Sequence, residues 1–155
     1  EHGRPVLAPV PGISVPHVSI SYADDVTVVA LSGVGPVGVD VERRDAAAFL
    51  GFDSVASHAQ EEHDEAGSQA ITWVRKESLL KATGQGLAVD PRRIRVAAPD
   101  QPAELIHWDA AEPPDGPVWM QDVEITSAHV AAVTVLAQER PELVVRRVEA
   151  AVPLG

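Results

Sequence analysis

The sequence predicts an α+β domain, an antiparallel sheet with packed helices, on three observations. β-branched stretches at 17–32 and 37–42 read as strands, residues 68–82 carry apolar and small side chains at helical spacing, and four further strand-like stretches follow between 92 and 137. Strands, then a helix, then strands, without regular alternation, is the pattern of segregated helices and strands. At 155 residues the chain is long enough for one domain with a real core and short for two, so 1–155 is read as a single domain.

Residues 1–16 hold Pro5, Pro9, Pro11 and Pro16 and read as an extended, irregular lead-in. "HVSISYADDVTVVALS" (17–32) predicts a hairpin turning at Asp24-Asp25. After the turn "GVGP", "VGVDVE" (37–42) is the next strand, with Val37, Val39 and Val41 on one face and Asp40 and Glu42 on the other. Residues 43–67 predict one or two short helices and a loop. The next helix is the clearest on the chain. Ser68 is expected to cap it, Ile71, Val74, Ser78 and Ala82 form its stripe, and Gly84 and Gly86 end it, which leaves Glu77 off the stripe beside Trp73 and Lys81. Strands are expected within 92–98, 103–110, 117–125 and 129–137, and "PELVVRR" as a closing strand or a tail. A weak internal echo links "ISYADDVTVVALS" with "ITSAHVAAVTVLA", each a strand, a short turn and a Val-Thr-Val strand.

A formal charge of −11 argues against nucleic acid, because neutralising phosphates takes a basic face and the positives here come in small groups such as Arg43-Arg44 and Arg92-Arg93. An anionic small molecule stays compatible if local positives or a metal offset the protein's own field. The apolar runs are far shorter than the roughly 20 residues that span a bilayer, and no charged-then-apolar leader opens the chain. With no cysteine there is no disulfide framework. These features read as a cytoplasmic protein without a membrane partner. The chain opens on Glu1, which reads as an excerpt or a processed product.

Two carboxylates at i and i+2 on a strand project from one face, and hard oxygens at that spacing can share one Mg²⁺. Alone, "GVDVE" reads equally as a solvated edge, and Glu77 and Lys81 alone make an ordinary i,i+4 helix pair. His58, Glu61, Glu62 and His63 form a second cluster, read as a solvated acidic loop because five-residue spacing does not put both imidazoles on one helical face. Trp73, Trp108 and Trp119 read as packing residues.

"GVDVE" followed by "WVRKESLLKATGQGL" resembles the phosphopantetheinyl transferases, whose two signatures run Gly-Ile/Val-Asp-Ile/Val-Glu and Trp-x-x-Lys-Glu-Ala/Ser-x-x-Lys-x-x-Gly-x-Gly. "GRP" at Gly3 to Pro5 and the strand "HVSISY" resemble two upstream elements of the larger, Sfp-type members, so the likeness runs from about residue 3 to residue 97. It implies a pseudo-duplicated fold of two similar halves with the site between them, of which this chain would lack part of the N-terminal half. It also implies transfer of the phosphopantetheine arm of coenzyme A to a serine of an acyl or peptidyl carrier protein. On that pattern Asp40, Glu42 and Glu77 hold Mg²⁺, and Glu77 or a metal-bound water takes the serine proton. Asp40, Glu77 and Lys81 form the catalytic set, and Arg4, Ser21, Tyr22, Lys76 and Lys81 meet coenzyme A. One position departs: the family's strand has His after Ser, where this chain has Ser21-Tyr22, a hydroxyl without positive charge at neutral pH. A unit without its other half is expected to self-associate as a dimer or trimer. The rival readings are a non-catalytic interaction module and a metal-dependent phosphohydrolase on the same carboxylates.

Overall fold

The computed structural model describes residues 5–46, 52–61 and 66–149. Residues 5–16 run without regular structure, as four prolines that cannot donate to a ladder require. Strand β1 (His17–Ala23) turns at Asp24-Asp25 into β2 (Val26–Ser32), in antiparallel register with Ala23 opposite Val26. Asp24 takes a left-handed φ of 51°, which a two-residue hairpin loop asks of its first residue and which Asp tolerates.

Strand β3 (Val37–Arg43) does not continue that ladder. It is the edge of a separate antiparallel sheet of order β3-β7-β6, formed with β6 (Val118–Thr126) and β7 (His129–Leu136). A third, two-stranded sheet pairs β4 (Ile94–Val96) with β5 (Leu105–Trp108), shorter than the expected stretches around them. Within the expected 43–67 region the structure shows one helical turn, α1 (Phe52–Val55); residues 47–51 and 62–65 lie outside the described residues. Residues 141–149 form no regular structure, so "PELVVRR" is a tail rather than a strand.

The principal helix, α2 (Ala66–Thr83), begins two residues before Ser68, which therefore lies in its first turn and is not the cap expected. It stops at Gly84, whose φ of 73° is the left-handed conformation that ends helices and that glycine adopts without steric cost. The expected stripe is buried at Val74, Ser78 and Ala82, but so are Thr72, Arg75, Lys76, Leu79 and Leu80. Three neighbours cover the helix: the β3-β7 sheet, Phe52 with Ala56, and a cluster in which Leu79 and Leu80 meet Ile94 and Val96. A single stripe describes only the side that meets the sheet.

The central sheet is covered on both faces. Val37, Val39 and Val41, with Ala131, Val133 and Val135, pack under hairpin residues Ala23, Val26, Val28 and Ala30. On the opposite face Gly38, Asp40 and Glu42 stand in register with Thr134, Ala132 and Val130, beneath α2. This is why β7, the middle strand, is buried at every residue but Leu136 and reads as a nearly continuous apolar run. The free edge of β3 is closed by side chains. Val39 N–H donates to Ser19 Oγ at 3.0 Å and Val41 N–H to Ser21 Oγ at 3.3 Å, so two hydroxyls at i and i+2 of β1 stand where a neighbouring strand's carbonyls would be.

Helix and sheet touch at Gly38. A Cβ on that residue would lie 1.9 Å from the Ser78 carbonyl oxygen and 2.5 Å from the Ala82 nitrogen, both rigid backbone. Nearby, Ser78 Oγ and Thr134 Oγ1 share a hydrogen bond of 2.7 Å. Two buried cations fix the helix from its other sides. All five N–H groups of Arg75 are used, on both carboxylate oxygens of Asp122 and the carbonyls of Ala97, Ala98 and Gln101. Lys76 Nζ donates to Glu61 Oε2 at 2.6 Å and to the carbonyls of Ala56 and Pro91.

Gly38→Ala is expected to cost more than about 3 kcal/mol, since neither contact atom can yield without lifting the helix; urea unfolding checks it, and a loss under about 0.5 kcal/mol would contradict the close approach. Glu61→Gln is expected to cost about 3–5 kcal/mol because it leaves a buried ammonium uncompensated. Adding Lys76→Met to that variant should recover part of the loss, which a double-mutant cycle in urea would measure.

Candidate functional site

Where α2 crosses β3, the helix sets Lys81 over the strand one turn after Ser78. Its Nζ donates to Asp40 Oδ1 at 2.6 Å and to the Val39 carbonyl at 3.1 Å. Ser21 Oγ, while accepting from Val41 N–H, donates to the same Asp40 Oδ1 at 2.8 Å. Strand β1 therefore supplies a hydroxyl, β3 a carboxylate and α2 an ammonium to one point. The Asp40 side chain is 7% exposed and that of Lys81 31%.

Two carboxylate oxygens in this neighbourhood are buried without a hydrogen-bond partner, Asp40 Oδ2 and Glu77 Oε1. Such orphans are rare in folded proteins and costly where they occur. Burial pushes the Asp40 carboxyl up, against the pull of Lys81. Glu42 is raised by burial and then by the charge of Asp40; Glu77 by burial, then by Asp40, with Glu42 adding. Three carboxylates from a strand and a helix thus share one electrostatic neighbourhood, and Lys81 is the cation that acts on all three.

Hard oxygen donors, two of them unpartnered, in a locally anionic cluster suit a hard divalent cation such as Mg²⁺ better than a soft transition metal. Among the described residues no three acidic or imidazole side chains are already drawn together as a metal cage. Asp40 is meanwhile engaged by Lys81. The donor types of Asp40, Glu42 and Glu77 fit such an ion by chemistry, and these are the residues that would hold it.

The structure brings together Asp40, Glu42, Glu77, Lys81 and Ser21 from the sequence reading. It places others elsewhere. Lys76, expected to meet coenzyme A, is fully buried, and its three bonds to Glu61, Ala56 and Pro91 commit it to holding α2 in place. Tyr22 is exposed on the outward face of the hairpin, because the strand alternation that turns Ser21 toward Asp40 turns its neighbour away. Arg4 lies outside the described residues. In the second cluster, Glu62 and His63 are likewise outside them, and Glu61 is not solvated as expected. Its side chain is 7% exposed and accepts from Lys76, Val96 N–H and His58 N–H. Trp73 packs edge-on against Phe52, and Trp119 Nε1 donates to the Ala137 carbonyl, both as packing residues. Arg43 pairs with Asp24 and Asp45, Arg92 with Asp90, at the surface.

Sequence reasoning missed Arg75. "VRKES" offers three charged residues in a row, and nothing local separates the arginine and lysine that will be buried from the glutamate that will face the cluster. The only hint was Asp122, an acid in the strand stretch "PVWMQDVEI".

A sheet edge and a crossing helix thus set three carboxylates, a lysine and a serine in one electrostatic neighbourhood. A family model described as the 4'-phosphopantetheinyl transferase superfamily matches residues 36–134, well over half of the chain, and spans all of β3 and α2. The chain belongs to this superfamily and is a transferase of the phosphopantetheinyl type. The family takes its phosphopantetheine from coenzyme A and acts on carrier proteins. No curated protein matches the chain. Among the described residues no helix is long and apolar enough to cross a membrane.

The raised proton affinity of Glu77 has a measurable sign. A carboxyl whose folded pKa lies above its unfolded one contributes stability at low pH and loses it as pH rises through that window, so ionised Glu77 costs stability at neutral pH. Glu77→Gln should therefore raise Tm by on the order of 2 °C at about pH 7.5 without divalent ions. The gain should shrink toward about pH 4.5, where the native carboxyl is protonated. A calorimetric scan series across pH checks both the direction and the trend.

Proposed function

We propose that this protein moves the 4'-phosphopantetheine arm of coenzyme A onto a serine hydroxyl of an acyl or peptidyl carrier protein, with Mg²⁺ as cofactor. The observation that carries the reading is the group Asp40, Glu42, Glu77 and Lys81, with two buried carboxylate oxygens unpartnered. In the reaction the serine oxygen bonds to the phosphorus of the phosphopantetheine arm. The bond from that phosphorus to the bridging oxygen of the diphosphate breaks, adenosine 3',5'-bisphosphate leaves with the electron pair, and the serine proton goes to a base. When bound, Mg²⁺ supplies neutralisation of the diphosphate charge.

Glu77 suits the base. Its Oε1 is unpartnered, and burial, then the charge of Asp40, raises its proton affinity, the direction that strengthens a base. Lys81 offers positive charge to the phosphates, and Ser21 holds Asp40 in place. Arg4, on a coenzyme A phosphate, and Tyr22, open to a cofactor arriving over the hairpin, belong to the same proposal, as does a cytoplasmic setting. The pseudo-duplicated arrangement enters here too. The hairpin's outward face leaves Ile20, Tyr22, Val29 and Leu31 exposed, and a second copy of the chain covering it would complete a cleft for coenzyme A.

Incubation with apo carrier protein, coenzyme A and Mg²⁺, read by intact mass, tests the reading. The expected result is a gain of one phosphopantetheine. Loss of coenzyme A without that gain supports the phosphohydrolase reading, and no change supports the interaction module. In the same assay Glu77→Gln and Asp40→Ala should slow transfer by about 10²–10⁴-fold. Glu42→Ala should cost about tenfold, since water can fill a vacated position on Mg²⁺; full activity in Glu77→Gln would remove it from the site. Sedimentation velocity over a concentration series is expected to show self-association, and a concentration-independent monomer that still transfers would refute the second copy.

A further inference from the structure

α2 carries two lysines five residues apart, and their surroundings differ. Lys76 is fully buried, and three internal acceptors take its three ammonium protons. Lys81 sits on Asp40 Oδ1 and the Val39 carbonyl, with nearly a third of its side chain open to solvent. One is locked; the other is held by two bonds and has somewhere to go. Lys81 also stands in the last turn of the helix.

We propose that Lys81 is an exchangeable counter-ion: with the site empty it neutralises Asp40, and it gives up that carboxylate to a divalent cation and moves its charge to the anionic diphosphate. This rests on the function proposed above and goes beyond it by making cation and anion binding interdependent through one side chain. Asp40 Oδ1 already receives Ser21 Oγ at 2.8 Å and Lys81 Nζ at 2.6 Å, while Oδ2 is buried and unpartnered. A divalent ion on this carboxylate would lie within a few ångströms of the ammonium, in surroundings that screen charge poorly. The two cations repel at that distance, so a divalent ion entering on Oδ2 weakens the hold of Lys81 on Oδ1.

Removing either from an otherwise unligated site leaves a buried carboxylate uncompensated, which is the costly arrangement. The same logic couples the ligands. A cation that displaces Lys81 frees an ammonium for an anion, and an anion that draws Lys81 away vacates Asp40 for a cation. Each ligand therefore raises the affinity of the other by the same factor.

The test is calorimetric titration of Mg²⁺ into the wild type, Lys81→Met and Lys81→Arg, with and without coenzyme A, each variant first checked by circular dichroism. Without coenzyme A, Lys81→Met should bind Mg²⁺ at least about fivefold tighter than the wild type, since nothing competes for Asp40. Lys81→Arg should bind it at least about threefold more weakly, because a guanidinium holds a carboxylate with two parallel bonds. This second variant keeps the charge and tests the proposal even if Lys81→Met fails to fold. Coenzyme A should tighten Mg²⁺ binding in the wild type at least about fivefold more than it does in Lys81→Met, where only the direct attraction between ion and diphosphate remains. A wild type that binds Mg²⁺ while neither substitution alters its affinity, or while Lys81→Met binds more weakly, overturns the exchange and leaves the proposed function standing. No Mg²⁺ binding in any of the three, with no transfer by the wild type, overturns that function and the exchange with it.

Discussion

The rest of the molecule depends on the contact between the backbones of β3 and α2 at Gly38. With a Cβ there only 1.9 Å from the Ser78 carbonyl oxygen, no other residue allows the helix to lie so near the strand. That approach brings Lys81 down to Asp40 and closes the Ser78–Thr134 hydrogen bond. It also buries the acidic face of a strand whose other face is already covered by the hairpin. The glycine that opens "GVDVE" thus sets the geometry of this cluster as much as the acids that follow it.

Charge on α2 is handled in three ways, and the differences follow from how many partners each side chain finds. Arg75 saturates its five donors on Asp122 and three carbonyls, and Lys76 its three on Glu61 and two carbonyls. Both are fully enclosed, which is tolerable only because nothing is left unpaired. They fix the helix to the 97–101 turn, to β6 and to the 56–61 segment. Glu77, the next residue, is left with an unpartnered buried oxygen. A fold that satisfies two neighbouring buried charges completely and leaves the third unsatisfied concentrates its electrostatic cost where ligand chemistry can use it.

The hairpin contributes more than a cover. Ser19 and Ser21 satisfy the edge amides of β3, and Ser21 also braces Asp40. A carboxylate held by a hydroxyl from one element and an ammonium from another keeps its position while its second oxygen stays available. In a chain of net charge −11, an anionic substrate meets a repelling field almost everywhere, so the local balance at this cluster, rather than the protein's overall charge, decides what binds there.

The sequence by itself determined what is local. The turn at Asp24-Asp25, the sorting of Val37, Val39 and Val41 against Asp40 and Glu42, the helix end at Gly84 and the two signatures that place Asp40, Glu77 and Lys81 in one family pattern all rest on periodicity, turn chemistry and short motifs. The strand period even held the signal that Tyr22 faces away from Ser21. Tertiary structure alone decided which charges are enclosed and by what. "VRKES" reads the same for a solvated helix face as for Arg75 and Lys76 in the core, because their partners lie far off in sequence, at Asp122, Ala97, Ala98 and Gln101, and at Glu61, Ala56 and Pro91. Glu61 likewise reads as one acid in a polar loop, and only the chain's return past β4 shows it bonded to Val96 N–H and Lys76. Burial and pairing are set by contacts between distant segments, and no local pattern of residue types encodes them.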